Sequence, residues 1–237
     1  KAIELVDYAQ SQGVDVIICD HHTPGATLPK AHAVLDPKRL DCTYPFKGLC
    51  GCGVAFKLIQ AHAQKRGHEV ASLKPYLDLV ATATAADIVP LREENRVLTY
   101  FGLEVLNQDP RPGLQVLIGE RTTRQIQVSD MVFRIAPRIN AAGRMKHATH
   151  AVDLLLCTEL DQAQVLAEAI ESFNTQRKEL DSEVTQQALD QIKTSNDQEK
   201  SATVVFDPSW HKGVIGIVAS RLTETYYRPT VVFTQSG

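Results

Sequence analysis

The sequence predicts an α/β protein built on a parallel sheet, with a second and smaller α/β unit beyond a long helix. Three stretches carry that expectation. Residues 14–18, Val-Asp-Val-Ile-Ile, are nearly all β-branched and apolar, the composition of a strand buried on both faces of a parallel sheet. Between residues 160 and 192, Ala163, Leu166, Ile170, Phe173, Leu180 and Val184 fall on one helical face, interrupted by Arg177. At about 1.5 Å per residue this helix spans roughly 50 Å, the length of an element that joins two lobes. Residues 202–207, Ala-Thr-Val-Val-Phe-Asp, then begin a new strand that leads into a glycine-bearing loop and a helix.

In chain order, residues 1–12 read as a helix carrying Ile3, Leu5, Val6 and Ala9, stopped by Gly13. The strand after it ends on Asp20-His21-His22. Ligands of open α/β sheets sit beyond the carboxyl ends of the strands, so this carboxylate and these two imidazoles are candidate metal ligands or acid/base groups. A turn-capping Asp20 beside two solvated histidines is the alternative. Residues 33–37 read as a short strand closed by Pro37, and residues 41–48 as a loop. Gly48, Gly51 and Gly53 then lead into an amphipathic helix that ends near Gly67. Free backbone amides at such a start suit a phosphate, and close helix packing is the competing use of the glycines. Cys50 and Cys52 lack the wider gap of zinc-binding pairs and read as small core residues. Pro75 opens a helix that is apolar almost all round, closed by Asp87. A carboxylate there needs a charge partner, hydrogen bonds or a metal, which makes Asp87 a second candidate ligand. The other reading is a turn Asp ahead of Ile88-Val89-Pro90.

Residues 94–108 read as a further helix, ended by Pro110 and Pro112. Residues 113–119 and 129–135 read as two short helices, the second with Ser129 as N-cap. Residues 136–145 read as a small-residue loop bearing Arg138, Asn140 and Arg144. Two arginines and an asparagine on such a loop can meet phosphates, or the arginines pair with carboxylates between domains. In the second α/β unit, His211, Lys212 and Gly213 stand at a helix start, where anions bind, unless His211 is a satisfied surface residue.

Composition bounds the function. With 237 residues, 43% hydrophobic, 22% charged and a net charge of −3, the chain has the balance of an ordinary soluble globular protein. No basic tail announces nucleic acid, although a local groove suffices to meet phosphates. No apolar run approaches the roughly 20 residues of a membrane span, and the chain opens without a signal-peptide pattern, so the expected location is cytoplasmic. Five unevenly spaced cysteines do not form a disulfide framework and are expected to be reduced. The chain starts at Lys1 within a helical pattern and stops as a strand finishes, so it is expected to be an internal fragment.

Five motifs together resemble one family. Asp20-His21-His22, Gly51-Cys52-Gly53-Val54-Ala55-Phe56-Lys57, Ala83-Thr84-Ala85-Ala86-Asp87-Ile88-Val89-Pro90-Leu91, Arg138-Ile139-Asn140-Ala141-Ala142-Gly143-Arg144 and Trp210-His211-Lys212-Gly213-Val214-Ile215-Gly216-Ile217-Val218-Ala219-Ser220-Arg221 occur in this order. Over essentially its whole length the chain resembles the RecJ-like 5′ to 3′ single-stranded-DNA exonucleases of the DHH phosphoesterase superfamily. The resemblance implies a DHH domain over 1–157 with its N-terminal part missing, a connecting helix over 158–196, and a truncated DHH-associated C-terminal domain over 197–237. It implies a two-metal phosphodiesterase using Mn²⁺ or Mg²⁺ in DNA repair and recombination, acting on single-stranded DNA. By the same resemblance His21 and Asp87 ligate a metal, Asp20 orients the site and His22 faces the scissile phosphate. Arg138, Asn140 and Arg144 would hold the DNA backbone, and His211, Lys212 and Gly213 would meet nucleotides from the second lobe. A single-strand-binding protein or a helicase is the partner class to look for.

The sequence departs from the family pattern in lacking the upstream Asp-x-Asp motif, a further strand-end Asp and a Gly-Ser-Gly/Ala-Arg-Ser motif. The fragment alone is therefore expected to be inactive or nearly so. Two rivals stand beside this reading: a phosphodiesterase of short oligonucleotides or cyclic dinucleotides, and a non-catalytic DHH binding module.

Overall fold

A computed structural model describes residues 2–119, 124–195 and 197–235. The chain packs as two compact units, Lys1–Ala136 and Pro137–Gly237. In the first, α1 (Ala2–Ser11) is followed by Gly13 at φ +73°, the left-handed conformation glycine enters at no steric cost. Lys1, expected within this helix, lies outside the described residues. Strand β1 (Ile17–Cys19) pairs in parallel with β2 (Ala33–Leu35), Ile17 opposite Ala33 and Cys19 opposite Leu35. The parallel pairing agrees with the sequence, but the strand is shorter and later than residues 14–18. Val14 and Ile17 are exposed rather than buried. Among the described residues β1 has one neighbouring strand, and Cys19 and Leu35 pack against Phe46, Leu49 and Val54, so the apolar run is not enclosed on both faces.

Helix α2 (Gly51–Lys65) starts where the glycines predicted. Cys50 caps it, its Sγ accepting the Gly53 N–H at 3.4 Å, and Cys50 is buried as the sequence reading required. Pro75 does not open the next helix. It lies in a 3₁₀ turn, Val70–Tyr76, and α3 (Leu77–Ala86) begins after it. Helix α4 (Glu93–Gln108) packs against α3 at Gly102, where a Cβ would lie 2.3 Å from the Leu77 carbonyl oxygen. The buried Asp78 carboxylate receives Nε and Nη2 of Arg111 at 2.7 and 2.8 Å, tying α3 to the start of α5 (Pro112–Ile118).

Two expectations for the following segment are corrected. The N-cap of the short helix α6 (Val128–Asp130) is Gln127, not Ser129, through a reciprocal capping box with Asp130. Residues 136–145 form a helix, α7 (Ala136–Met145), rather than a loop. A π-helical segment, Met131–Ile135, runs into α7, with the Ala136 N–H bonded to the Met131 carbonyl. Pro137 has no N–H to give an α-helical ladder, and the wider π register just before it lets the helix continue through a residue that sequence reading treats as a breaker.

In the second unit, α8 (Thr149–Leu156) packs against α9 (Leu160–Thr194). By packing, the chain divides between Ala136 and Pro137. A 3₁₀ turn (Asp197–Glu199), β3 (Thr203–Phe206), α10 (Ile215–Tyr226) and β4 (Thr230–Phe233) follow, and β3 and β4 pair in parallel. Val184, Ala188 and Ile192 of α9 meet Val205, Trp210, Val214, Val218 and Leu222 in one core. Trp210, the only tryptophan of the sequence, donates its Nε1–H to Gln187 at 2.8 Å. Arg177 does not break the apolar stripe of α9 without compensation. The buried Asp181 lies 3.6 Å from its Nη1 and accepts Nη2 of Arg221 on α10 at 2.7 Å.

Candidate functional site

The first unit gathers the strand-end triplet and Asp87. Asp20 continues the β1 ladder through its N–H, which reaches the Leu35 carbonyl at 2.9 Å. Its Oδ1 then turns back to accept the backbone N–H of His21 at 2.7 Å and of His22 at 3.2 Å, the local bonding that makes aspartate a turn residue. The same oxygen is 2.8 Å from Nδ1 of His22, which fixes the orientation of that ring. Burial pushes the Asp20 carboxyl up, but the hydrogen bonds from the His22 ring and from the backbone of His22 and His21 outweigh it and leave the group below its ordinary value. His21 is mostly buried and His22 mostly exposed, with ring centroids 4.3 Å apart.

Asp87 is the C-cap of α3 and stands with Oδ2 3.4 Å from Nε2 of His21. Asp87 thus ends the helix and also stands beside the triplet. The carboxyl end of a helix carries the negative pole of its dipole, so a half-exposed carboxylate there favours a cation beside it. Ile88, next in the chain, holds φ +53°. A β-branched residue in the left-handed region costs of order 1–3 kcal/mol, a strain that surrounding structure must sustain.

These residues fit a divalent ion. One ligand atom from each of Asp20, His21 and His22 lies within 4.8 Å of the others, the one such group of three among the described residues. The 3.4 Å between His21 Nε2 and Asp87 Oδ2 is close to the roughly 3 Å edge of an octahedron with bonds of about 2.1 Å, so both atoms can occupy adjacent positions on one ion. Mixed carboxylate and imidazole donors suit Mn²⁺ and Mg²⁺. The start of α2 adjoins this group, since a Cβ on Gly51 would lie 3.5 Å from His21 Cδ2. Its glycines follow the packing reading: a Cβ on Gly53 would lie 3.3 Å from the Leu49 side chain, and the Gly53 N–H is already taken by Cys50. Burial pushes the Cys52 thiol up to about 11, so it stays protonated and inert.

The second unit brings together part of the expected nucleic-acid set. Asn140 and Arg144 are four residues apart on α7, hence on one face, and both are exposed. Arg144 Nη1 reaches the Gly213 carbonyl at 3.3 Å, and a Cβ on Gly213 would lie 2.3 Å from the Arg144 carbonyl. Two motifs that sequence reading placed in different lobes therefore touch inside one unit, and glycine at 213 is what permits the approach. The helix itself starts later than expected, with Val214 as the N-cap of α10, and the Gly213 N–H is not free for an anion because His211 Nδ1 accepts it at 3.0 Å. Lys212 is exposed in the same turn. Arg138 points elsewhere: its Nε donates to Glu171 of α9 at 2.6 Å, realising the carboxylate-pairing alternative within the unit rather than between domains. Sequence reasoning missed Glu171, and the available signal was an acidic residue in a helix whose polar positions elsewhere carry no partner assignment.

Residues 1–84 match the N-terminal domain of the DHH family. The chain is 38% identical to the single-stranded-DNA-specific exonuclease RecJ of Escherichia coli (strain K12), over 98% of this chain and 43% of that protein. It is 40% identical to RecJ of Bacillus subtilis (strain 168), over 98% of this chain and 29% of that protein. The crystal structure of RecJ from Thermus thermophilus in complex with Mn²⁺ superposes with a TM-score of 0.85 at 37% identity, covering 95% of this chain and 33% of that one. A crystal structure of exonuclease RecJ bound to manganese gives a TM-score of 0.84 at 36% identity, covering 98% of this chain and 58% of that one. The chain thus spans less than half the length of these curated relatives. By sequence and by fold, the chain is similar to the RecJ exonucleases, and its residues 1–84 match the DHH-family N-terminal domain.

Proposed function

We propose that this chain forms the metal-binding and DNA-holding portion of an exonuclease that hydrolyses single-stranded DNA from its 5′ end, serving repair and recombination in the cytoplasm. The observation that carries the reading is the 3.4 Å approach of His21 to Asp87, which joins two sequence-distant motifs in one donor set. His21 and Asp87 hold the ion, Asp20 fixes the ring of His22 through Nδ1, and His22 thereby presents Nε2 towards the scissile phosphate. Mn²⁺ or Mg²⁺, when bound, supplies an activated water and stabilises the charge that develops on the phosphate oxygens. Asn140, Arg144, His211 and Lys212 form the phosphate-facing surface of the second unit. Gly213 serves it by allowing the backbone contact with Arg144, and Arg138 by securing α7 to α9 through Glu171. The donor set assembled by these residues is that of one ion, so a two-metal reaction needs further carboxylates, and the 237 residues alone turn over weakly or not at all. Among the described residues no helix is long and apolar enough to cross a membrane. A single-strand-binding protein or helicase is the protein partner class this role implies.

The test is Mn²⁺-dependent digestion of 5′-labelled single-stranded DNA by the full-length protein containing this chain, with His21→Ala and Asp87→Ala beside it. Loss of activity in both variants, with DNA still bound, is expected. An inactive wild type that binds DNA overturns the exonuclease reading in favour of a binding module, and preference for short oligonucleotides or cyclic dinucleotides overturns the choice of substrate.

A further inference from the structure

Asn95 is wholly buried in the first turns of α4, and its side chain bridges two segments far apart in sequence. Nδ2 donates to the Gly48 carbonyl at 2.7 Å and to the Pro90 carbonyl at 3.0 Å. Both partners are acceptors, so the orientation of the amide is dictated by chemistry. One partner leads into the α2 start that adjoins His21, and the other ends the Asp87–Ile88–Val89–Pro90 turn. Oδ1 is buried with no hydrogen-bond partner among the described residues. A residue serving only to fill the core would be apolar, because an unpartnered buried oxygen is unfavourable. Departures of this kind concentrate where function requires them. Ile88 supplies the second observation, since its left-handed backbone between Asp87 and Pro90 persists only if something holds the turn at both ends. Asp87 is held at one end by its N–H to the Ala83 carbonyl, and Pro90 at the other by Asn95.

We infer that Asn95 is a positioning residue for the metal site: its amide clamps the strained Asp87–Pro90 turn against the Gly48 segment and so keeps Asp87 in reach of His21. The inference rests on the reading of His21 and Asp87 as metal ligands and assigns no contact between Asn95 and the ion. Partners hydrogen-bonded directly to a metal ligand are worth about 10- to 100-fold in affinity, and Asn95, which acts on Asp87 through the turn, is set at the tenfold end. Asn95→Leu keeps the branching and number of side-chain heavy atoms, removes both donors and the unpartnered oxygen, and so releases the turn; a thermal melt of each variant separates this from global unfolding. Ile88→Gly on top of it restores part of the affinity, because glycine takes a positive φ without strain. A residue that merely packed the core would show no such rescue.

The experiment is a Mn²⁺ titration of the chain, read by the electron paramagnetic resonance of the free ion, for wild type, Asp87→Asn, Asn95→Leu and Asn95→Leu/Ile88→Gly. Amide hydrogen exchange is measured on the same samples. The expected result is a tenfold or greater loss of affinity in Asp87→Asn and Asn95→Leu, partial recovery in the double variant, and faster exchange in Asn95→Leu confined to residues 88–92. Wild-type affinity in Asn95→Leu, with Asp87→Asn impaired, overturns the role of Asn95 and leaves the metal site standing. If Asp87→Asn binds like the wild type, the metal reading fails, and exchange alone decides: unchanged exchange over residues 88–92 in Asn95→Leu overturns the clamp as well.

Discussion

Replacing Gly102 by alanine sets two effects of known size against each other. In a helix interior alanine is favoured over glycine by about 1 kcal/mol, so on an open helix face the change would stabilise. On α4 the added Cβ would lie 2.3 Å from the Leu77 carbonyl oxygen and 2.5 Å from Ala81 Cβ, both on α3. Neither neighbour can rotate away, one being backbone and the other a single methyl, so relief requires α3 and α4 to separate by about 1 Å. Overpacking a well-filled interior costs about 1–3 kcal/mol, and a backbone obstacle places this site at the upper end. The net expectation is a loss of about 2 kcal/mol. At roughly 2–4 °C per kcal/mol for a protein of this size, the far-UV melting midpoint falls by about 4–8 °C. Gly216→Ala is the control of opposite sign. It lies on α10 with no atom within 4 Å of the added Cβ, and should gain about 0.5–1 kcal/mol. An unchanged or raised midpoint for Gly102→Ala would refute the close approach of α3 and α4.

Further expectations follow from pairs described above. Arg111→Met leaves the buried Asp78 carboxylate without its bidentate partner and should cost about 3–5 kcal/mol in urea unfolding, while Asp78→Leu added to it should recover most of the loss. Gly213→Ala pushes the 211–213 turn off the Arg144 carbonyl, and single-stranded-DNA affinity should fall several-fold with a shallower salt dependence. Wild-type affinity and slope in that variant would remove this turn from the proposed interface. The Asp130 carboxyl is held below its ordinary value by the Gln127 N–H first, against burial, and then by Arg124 and Arg134. A depressed carboxylate contributes stability that is complete above the unfolded value of about 3.9 and is lost as pH falls through the folded one. Asp130→Asn should therefore flatten the acid limb of a stability–pH curve below about pH 4 and leave its neutral part parallel to wild type.

What could be read from sequence was what neighbours along the chain decide. The β-branched run before Asp20 announced the strand whose end carries the triplet, and the spacing of Ala163, Ile170 and Val184 announced α9. The exposure of Ile17 could not be read there, because hydrophobicity does not tell how many layers cover a strand. Residues 136–145 were misread because Pro137 and the small residues argue for a loop, whereas the π segment before them admits proline into a continuing helix. The partner of Arg138 sits 33 residues away on another helix, beyond any local pattern. Asp87 was legible as a carboxylate needing company. The left-handed Ile88 and the amide of Asn95 behind it were not, since isoleucine is the residue least expected at positive φ and nothing in α4 marks Asn95 among its other polar positions.

The lone tryptophan gives the molecule a built-in reporter. Trp210 is buried among α9, α10 and β3, and its indole N–H is held by Gln187, so its emission colour and quantum yield depend on the second unit being folded. The first unit contains tyrosine but no tryptophan. Excitation at the red edge, where tyrosine does not absorb, therefore follows the second unit alone, while ellipticity follows helices in both. Subtracting one transition from the other resolves the two units optically in a single unlabelled sample.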